Sequence, residues 1–181
     1  MNKKLQTFEL GRISESEFKA SKKLPLTLVL DNIRSGLNIG SVFRTSDAFR
    51  LERVVLCGIC AQPPHRDILK SALGATETVE WNYAEETTEA VGHLRENGYQ
   101  IACVEQVEKS LELQDWLPKS SEKWALVLGN EVRGVQQDII DHADVCLEIP
   151  QFGNKHSLNV SVCAGMVVWH YFLNAGQEIL S

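Results

Sequence analysis

The sequence lacks an apolar segment long enough to cross a membrane. Its longest apolar stretch, Val160–Leu173, is interrupted by Ser161, Gly165 and His170, and it is shorter than the roughly 18 residues that suggest a membrane span. The amino terminus carries lysines but no apolar core of a signal peptide. These absences predict a cytoplasmic protein with no membrane partner, and the 44% content of hydrophobic residues is typical of a globular domain.

The sequence also lacks the cysteines of a disulfide framework. It contains five, an odd number, and most lie in apolar runs typical of buried free thiols. Cys57 and Cys60 form a single CxxC pair, to which a zinc interpretation could add His65, but no second Cys/His pair follows at zinc-finger spacing. We therefore interpret the pair as the end of a strand and the loop after it, and we expect no metal site.

The common glycine patterns of nucleotide-binding sites are absent as well. Neither GxGxxG nor GxxxxGKS/T occurs, so a nucleotide-like ligand would need a site of another construction. The net charge of −6 argues against a nucleic-acid partner, but the charge is uneven. Residues 1–24 and 34–70 each carry six lysines and arginines against three acids. This asymmetry is compatible with an RNA footprint, although lysines are also typical of a solvated helix face.

What the sequence contains is an alternation of apolar runs and helix-like segments. Leu26–Leu30 is apolar throughout, as expected of a strand buried on both faces. Ser14 and Glu17 form a capping-box pattern that predicts a short helix reaching about Lys23. The alternation predicts an α/β domain with a mainly parallel sheet flanked by helices over residues 25–181, after a short helical appendage over residues 1–24. The other predicted strands are Arg53–Cys57, Val79–Trp81, Ile101–Val104, Ala125–Leu128 and Val145–Ile149, and the other predicted helices are Ile39–Phe49, Ile68–Leu73, Ala84–Glu96, Gln136–His142 and Leu158–Asn174.

Three of the predicted strands end in clusters of polar residues, at 31–44, 128–134 and 149–161. In open α/β sheets, ligands bind beyond the carboxyl ends of the strands. Read singly, the first two clusters have structural explanations, because Asn38 suits a helix N-cap and Glu131 suits the acid at a helix start.

The third cluster is harder to explain by structure alone. Ser157 or Asn159 opens the last helix, so capping accounts for one polar residue, but it does not account for Ser157, Asn159 and Ser161 together. Buried polar groups need partners, which a ligand or another loop would supply. The same helix is apolar almost all round, so we expect it to be deeply buried or to form a subunit contact.

Taken together, the three clusters resemble the motifs of the SpoU (TrmH-like) branch of the SPOUT methyltransferases, and the resemblance covers roughly residues 25–175. The motifs match in order and in spacing. The matching segments are Asn38-x-Gly40-x-x-x-Arg44, then Gly129-Asn130-Glu131-x-x-Gly134, and finally Ile149-Pro150 followed by Ser157-Leu158-Asn159-Val160-Ser161.

The resemblance implies a fold, a cofactor and an assembly. The implied fold is an α/β domain whose C-terminal part forms a deep trefoil knot. The implied cofactor is S-adenosylmethionine, held largely by backbone groups, and the implied assembly is a homodimer in contact through the last helix. The cofactor-binding residues implied by the motif match are Gly129, Asn130, Ile149, Ser157 and Leu158.

The implied reaction transfers a methyl group to a ribose 2′-hydroxyl of tRNA or rRNA. Arg44 would lie beside that hydroxyl as its base. Because the pKa of arginine is above ~12, Arg44 could instead act as a cation that holds a phosphate and stabilises the developing alkoxide. Asn38 and Glu131 would orient Arg44 or line the pocket, and Ser157 and Asn159 would bind cofactor or substrate near the methyl group.

Two alternative functions stay open. A non-catalytic RNA-binding module on the same fold predicts degraded motifs, whereas every motif position is filled here. A SPOUT relative could also methylate a base, although the Ser157-Leu158-Asn159 pattern favours ribose. The basic residues expected to contact RNA are Lys22, Lys23, Arg34, Arg44 and Arg50.

Overall fold

The computed structural model describes residues 2–180, apart from the side chains of residues 7 and 8, and contains a seven-stranded sheet. All neighbouring strands pair in parallel, in the order β3-β2-β1-β6-β4-β7-β5. The predicted α/β class with a parallel sheet is therefore confirmed, whereas the C-terminal knot stays a prediction. The strands are β1 (Leu24–Asp31), β2 (Leu51–Cys57), β3 (Glu80–Ala84), β4 (Tyr99–Val104), β5 (Leu111–Glu112), β6 (Lys123–Leu128) and β7 (Val145–Glu148), and the helices are α1 (Glu15–Ala20), α2 (Gly36–Ala48), α3 (Arg66–Ala72), α4 (Ala75–Thr78), α5 (Thr87–Glu96), α6 (Gln137–His142), α7 (Val160–Tyr171) and α8 (Gln177–Leu180).

Helices cover both faces of the sheet, and this explains why the central strands have no polar face. On one face, Leu28 and Leu30 are fully buried in a core that also contains residues of α2 and α7. On the other face, Val29 is fully buried in a second core with residues of α5 and α6. The continuous apolar run in β1 thus supplies both cores, as the sequence predicted.

The strand order brings the three polar clusters to one edge of the sheet. Strand β6, which precedes the second cluster, lies between β1 and β4, and β7, which precedes the third, lies next to β4. Because these strands are parallel, the chain leaves all of them at the same edge. Segments that are far apart in sequence therefore become neighbours in space.

Helix α2 begins earlier than the sequence predicted. Its N-cap is Ser35, whose hydroxyl accepts a hydrogen bond from the backbone N–H of Asn38 at 3.3 Å. The prediction that Asn38 is the N-cap is therefore wrong. Asn38 lies in the first turn, and its side-chain amide is left to bond outside the helix.

Helix α7 begins at an asparagine, as one of the two predicted alternatives required. Asn159 is the N-cap, and its Oδ1 accepts hydrogen bonds from the backbone N–H of Ser161 at 2.9 Å and from its hydroxyl at 2.6 Å. The cap therefore also satisfies the hydroxyl of Ser161. Ser157 remains in the loop before the helix.

The predicted single helix to Asn174 is instead a helix in three parts. After α7 the chain makes a π-helical turn over Phe172–Gly176 and continues as α8. At Gly176 a Cβ would lie only 2.9 Å from the Phe172 ring and 3.2 Å from a methyl group of Leu24, so glycine permits this close packing. Within residues 2–180, no helix has the length and apolar character needed to cross a membrane.

Helix α1 is shorter than predicted and ends at Ala20 instead of Lys23. The capping box is present: the backbone N–H of Ser14 donates to Glu17 at 2.7 Å, and the N–H of Glu17 donates to the Ser14 hydroxyl at 3.3 Å. Phe18 is the residue of α1 that is buried in the domain core. The division of the chain near residue 24 stays a prediction.

Helices α2 and α3 approach each other very closely at Gly40. A Cβ at this position would lie 2.2 Å from the Ser71 hydroxyl and 2.3 Å from the carbonyl oxygen of Ile68. The Ser71 hydroxyl also donates to the carbonyl oxygen of Leu37 at 2.9 Å. The two helices therefore cannot separate without breaking this bond.

We expect Gly40→Ala to lower the free energy of unfolding by about 1–3 kcal/mol, because the added methyl group forces the backbone of α3 to move. Gly92→Ala is the matched control, since Gly92 lies within α5 and a Cβ there would meet nothing within 4 Å. This control should raise the free energy of unfolding by about 0.5–1 kcal/mol. Urea denaturation followed by circular dichroism measures both changes, and equal effects would show that the close approach at Gly40 is unimportant.

Candidate active site

A fully buried carboxylate, that of Asp31, lies where β1 ends. It accepts hydrogen bonds from the Thr87 hydroxyl at 2.6 Å and from the backbone N–H and side-chain amide of Gln136 at 2.9 and 2.7 Å. Thr87 begins α5 and Gln136 precedes α6. A buried carboxylate is tolerated only with such donors, so Asp31 ties both helix starts to the end of β1.

The next residue, Asn32, joins the loops on either side of β1. Its backbone is left-handed, with φ 57°. Its carbonyl oxygen accepts a hydrogen bond from the side chain of Asn130 at 2.6 Å, and its Oδ1 accepts one from the backbone N–H of Ile59 at 3.1 Å. The first and second polar clusters are thereby held together.

Glu131 joins the second cluster to the first turn of α2. Its carboxylate accepts hydrogen bonds from the backbone N–H groups of Arg34 and Ser35 at 3.1 and 3.3 Å, and from the Asn38 amide at 3.2 Å. Partial burial raises the pKa of the Glu131 carboxyl, but a hydrogen bond from its own backbone N–H together with these three bonds outweighs the burial and holds the pKa below its usual range. Glu131 lies in a turn and is not the acid of a helix start, so that interpretation was wrong.

Asn38 also bonds the third cluster. Its Oδ1 accepts a hydrogen bond from the Asn159 amide at 3.1 Å, while Asn159 caps α7 through its own Oδ1. A continuous chain of side chains, Glu131–Asn38–Asn159, therefore links all three clusters. Asn38 is therefore the hydrogen-bond partner of Asn159 that could not be identified from the sequence.

The second and third clusters, together with the end of β4, line a cleft of about 610 Å³ beyond the ends of β4, β6 and β7, a size typical of small-molecule sites. The buried side chains of Leu128 and Leu147 form part of its apolar wall. All the residues predicted to bind the cofactor lie on its surface. These are Gly129, Asn130, Ile149, Ser157 and Leu158.

The structure brings together all of the predicted catalytic residues except Arg44. Glu131, Ser157 and Asn159 line the cleft, and Asn38 bonds two of them. Arg44 is exposed on α2 and is not among the described residues that line the cleft. It is six residues beyond Asn38, which is about 9 Å along a helix axis.

The predicted RNA contacts differ in how available their charges are. Lys22 and Arg34 are exposed, like Arg44, whereas Lys23 and Arg50 are half-buried. The ammonium group of Lys23 donates to the Phe18 carbonyl oxygen and to the Ser21 hydroxyl. Burial, with the nearby charge of Arg50, lowers the pKa of Lys23. Because its ammonium group already makes hydrogen bonds within the fold, Lys23 is less available to a phosphate than the exposed cations are.

The two cysteines of the CxxC pair are buried thiols. Cys60 donates to the carbonyl oxygen of Leu30 at 3.2 Å and accepts from the N–H of Ile33 at 3.1 Å. Burial raises the pKa of Cys57 to about 12 and that of Cys60 to about 11. His65, the third candidate zinc ligand, caps α3. In the described part of the chain, no group of three or more metal-ligating side chains occurs.

The sequence analysis did not single out Asp31 and Gln136, which bond each other beside the site, or Glu105 and Glu148, which line the cleft. The available signal was an acid directly after a fully apolar strand, which must find donors if it is buried. The sequence does not indicate where those donors are, because Thr87 and Gln136 lie 56 and 105 residues further along the chain.

The cleft lies beyond the carboxyl ends of parallel strands, which is where open α/β domains bind their ligands. The comparison with known families identifies the family of α/β proteins to which the chain belongs. Residues 25–169 match the model of the SpoU rRNA Methylase family, which is most of the chain, and the chain belongs to this family.

Similar proteins support this assignment. The chain is 34% identical over 144 residues to the 23S rRNA (guanosine-2′-O-)-methyltransferase RlmB of Neisseria meningitidis, an alignment that covers 80% of this chain and 56% of that protein. The chain thus spans less than two thirds of the length of the curated relatives it matches.

Solved structures share the fold. A TrmH/SpoU tRNA modifying enzyme of A. aeolicus superposes with a TM-score of 0.79 at 20% identity, covering 91% of this chain and 83% of that one. An AdoMet-bound rRNA methyltransferase of Sinorhizobium meliloti superposes with a TM-score of 0.77 at 22% identity, covering 91% of this chain and 61% of that one.

We expect Glu131→Gln to lower the free energy of unfolding by about 1 kcal/mol at neutral pH, because the neutral amide is a weaker acceptor for the donors of α2. A carboxyl with a lowered pKa contributes this stability above its usual pKa, and the contribution is lost as the pH falls through the lowered value. The difference between the two proteins should therefore vanish in acid.

Denaturation curves of both proteins between acid and neutral pH measure this difference. Glu108→Gln is the matched control, since Glu108 is exposed in the loop after β4, and it should change stability little at any pH. A difference for Glu131→Gln that is independent of pH would contradict the role assigned to the carboxylate charge.

Proposed function

We propose that this chain transfers a methyl group from S-adenosylmethionine to a ribose 2′-hydroxyl of tRNA or rRNA. The observation that carries the proposal is the Glu131–Asn38–Asn159 chain of hydrogen bonds, which joins the first motif segment to the two segments that line the cleft. The relatives support the substrate class, because the names above describe enzymes of 23S rRNA, rRNA and tRNA.

S-adenosylmethionine fits the cleft by the chemistry of the lining. Leu128 and Val160 offer apolar contact to an adenine ring, and backbone groups near Gly129 offer hydrogen bonds. The carboxylates of Glu105 and Glu148 also line the cleft, and their charge suits a sulfonium cation. When bound, the cofactor supplies an activated methyl group.

The side chains of this chain hold and orient the acceptor. Asn38 and Asn159 fix each other's amide groups at the cleft, and Ser157 lies on its wall beside them. Glu131 is a positioning residue, because its oxygens already accept the N–H groups of Arg34 and Ser35 and the amide of Asn38. The guanidinium cation of Arg44 binds a phosphate and stabilises the negative charge that develops on the 2′-oxygen while the hydroxyl proton passes to solvent water.

A homodimer in contact through α7 belongs to the same proposal. Val162, Met166, Trp169 and Leu173 are 40–51% exposed, and their spacing places them on one stripe of the helix. An apolar stripe of this kind is typical of a protein interface. Helix α2, which carries Arg44, packs against α7, so a second copy on this stripe would also approach Arg44.

The dimer offers a reason for the position of Arg44. Arg44 does not line the cleft of its own chain among the described residues. A guanidinium exposed beside the subunit contact could reach the cleft of the partner subunit instead. The active site would then be complete only in the dimer.

We expect the protein to incorporate labelled methyl groups into total tRNA or rRNA, and nucleoside mass spectrometry to place the added mass on ribose. Arg44→Ala should lower this activity by at least about 100-fold, with the affinity for S-adenosylmethionine in calorimetry nearly unchanged, because Arg44 acts on the acceptor. A collapse of cofactor affinity would assign Arg44 a structural role instead. Mass on the base, or no transfer to any RNA, would overturn the proposed reaction in favour of base methylation or RNA binding alone.

We expect Met166→Lys to convert a dimer into a monomer, because a cation in the middle of the apolar stripe must be desolvated on association. Sedimentation analysis measures the mass. The matched control is His93→Lys on α5, which lies on the opposite face of the sheet, and it should leave the dimer intact. A monomeric parent protein would contradict the dimer, and an unchanged dimeric mass in Met166→Lys would contradict the contact through α7.

A further inference from the structure

Large apolar side chains are exposed at the carboxyl edge of the sheet, in addition to the apolar wall inside the cleft. Ile59 after β2 is 63% exposed, Val132 after β6 is 78% exposed, and Phe152 after β7 is 98% exposed. Strands β2, β1 and β6 are consecutive in the sheet, and β7 follows beyond β4. These side chains therefore extend along one edge and flank the cleft.

The backbones that carry two of these side chains are held by the site network. The N–H of Ile59 donates to Asn32, and the N–H groups of Val132 and Arg133 donate to Asn130 at 2.9 and 3.1 Å. Asn130 itself donates to Asn32. The backbones at Ile59 and Val132 are thus held in place, which lowers the entropic cost of binding a partner at these two side chains.

Unpaired cations lie between the apolar groups. Arg34, Arg133 and Lys155 are exposed, and within residues 2–180 none of them is within ion-pair distance of an acid. The nearby carboxylates of Glu105 and Glu131 instead accept backbone N–H groups, those of Val135, Arg34 and Ser35 among them. The edge therefore suits an anionic partner that also has apolar faces.

We propose that this edge binds single-stranded RNA, with a base stacked on Phe152. We call it the carboxyl-edge strip, and it consists of Arg34, Ile59, Val132, Arg133, Phe152 and Lys155. The inference rests on the proposed function and adds the form of RNA that the site accepts. Unpaired bases stack on aromatic side chains while cations track the phosphates, whereas the bases of a duplex are stacked on one another and offer no free face.

The position of Phe152 relates the stacked base to the reaction. Gln151 and His156, which belong to the same loop, line the cleft. The ribose that enters the cleft and the base on Phe152 therefore belong to the same or to adjacent nucleotides. Stacking fixes that ribose relative to the cleft, so the strip selects a flexible loop over a paired region.

The test measures binding of a fluorescein-labelled, mixed-sequence single strand of about a dozen nucleotides to the full chain by fluorescence anisotropy. Phe152→Ala should weaken binding roughly 5- to 150-fold, the range found for loss of one base–aromatic stack, and Phe152→Trp should retain it. The matched control is Leu117→Ala, a large exposed apolar residue in the loop before β6 and hence toward the opposite edge, which should bind like the parent.

A second comparison separates stacking from charge. Arg133→Gln should reduce the dependence of affinity on salt, since one phosphate contact is lost, whereas Phe152→Ala should leave that dependence unchanged. A fully paired RNA of the same length should bind more weakly to the parent, and Phe152→Ala should not weaken it further. Equal loss on both RNAs would overturn the stacking role.

These experiments distinguish a failure of the proposed RNA-binding strip from a failure of the proposed methyl transfer. Single-strand binding that depends on Phe152, without methyl transfer to any RNA, would support the strip and overturn the reaction. Methyl transfer that proceeds with unchanged KM in Phe152→Ala would support the reaction and overturn the strip. Calorimetry with S-adenosylmethionine should show the same cofactor affinity in Phe152→Ala and the parent, and a loss of cofactor affinity in this variant would overturn the assignment of Phe152 to RNA.

Discussion

A carboxylate with no exposed surface must be satisfied by hydrogen bonds, and at the end of β1 the donors come from two distant segments of the chain. Asp31 takes them from Thr87 and Gln136, at the starts of α5 and α6. Leaving such a group without donors would cost several kcal/mol. These hydrogen bonds therefore hold the starts of α5 and α6 at the end of β1. The other hydrogen bonds of the site begin at the adjacent residue, Asn32.

From Asp31 the hydrogen bonds continue outward through amide side chains. The Asn130 amide donates to the carbonyl oxygen of Asn32, and the Asn38 amide donates to the Glu131 carboxylate. The Asn159 amide donates in turn to Oδ1 of Asn38. Amides donate and accept at once, so a short series of them can join three loops without leaving a buried charge unpaired. Arg44 stands outside this series. In the proposed reaction it is the cation that meets the substrate, while the network keeps the cleft in shape.

The apolar stripe of α7 and the carboxyl-edge strip differ in chemistry. The α7 stripe is apolar, which suits a second copy of the chain, and the carboxyl-edge strip mixes cations with apolar groups, which suits RNA. A net charge of −6 does not oppose an RNA partner, because the local charge at the contact decides binding. Of the acids that line the cleft, Glu131 and Glu105 accept backbone N–H groups and Glu148 accepts the Ser110 hydroxyl at 2.6 Å.

The sequence alone determined the α/β class, the parallel sheet and the three motif segments, because apolar runs such as Leu26–Leu30 and polar clusters at strand ends are local patterns. It misplaced the start of α2, since Ser35 and Asn38 are both good caps. Only the tertiary structure decided between them, by giving Asn38 two partners, Glu131 and Asn159, which lie 93 and 121 residues away. The same holds for Asp31: its burial can be suspected from the sequence, but its donors are defined by strand order, which local patterns do not encode.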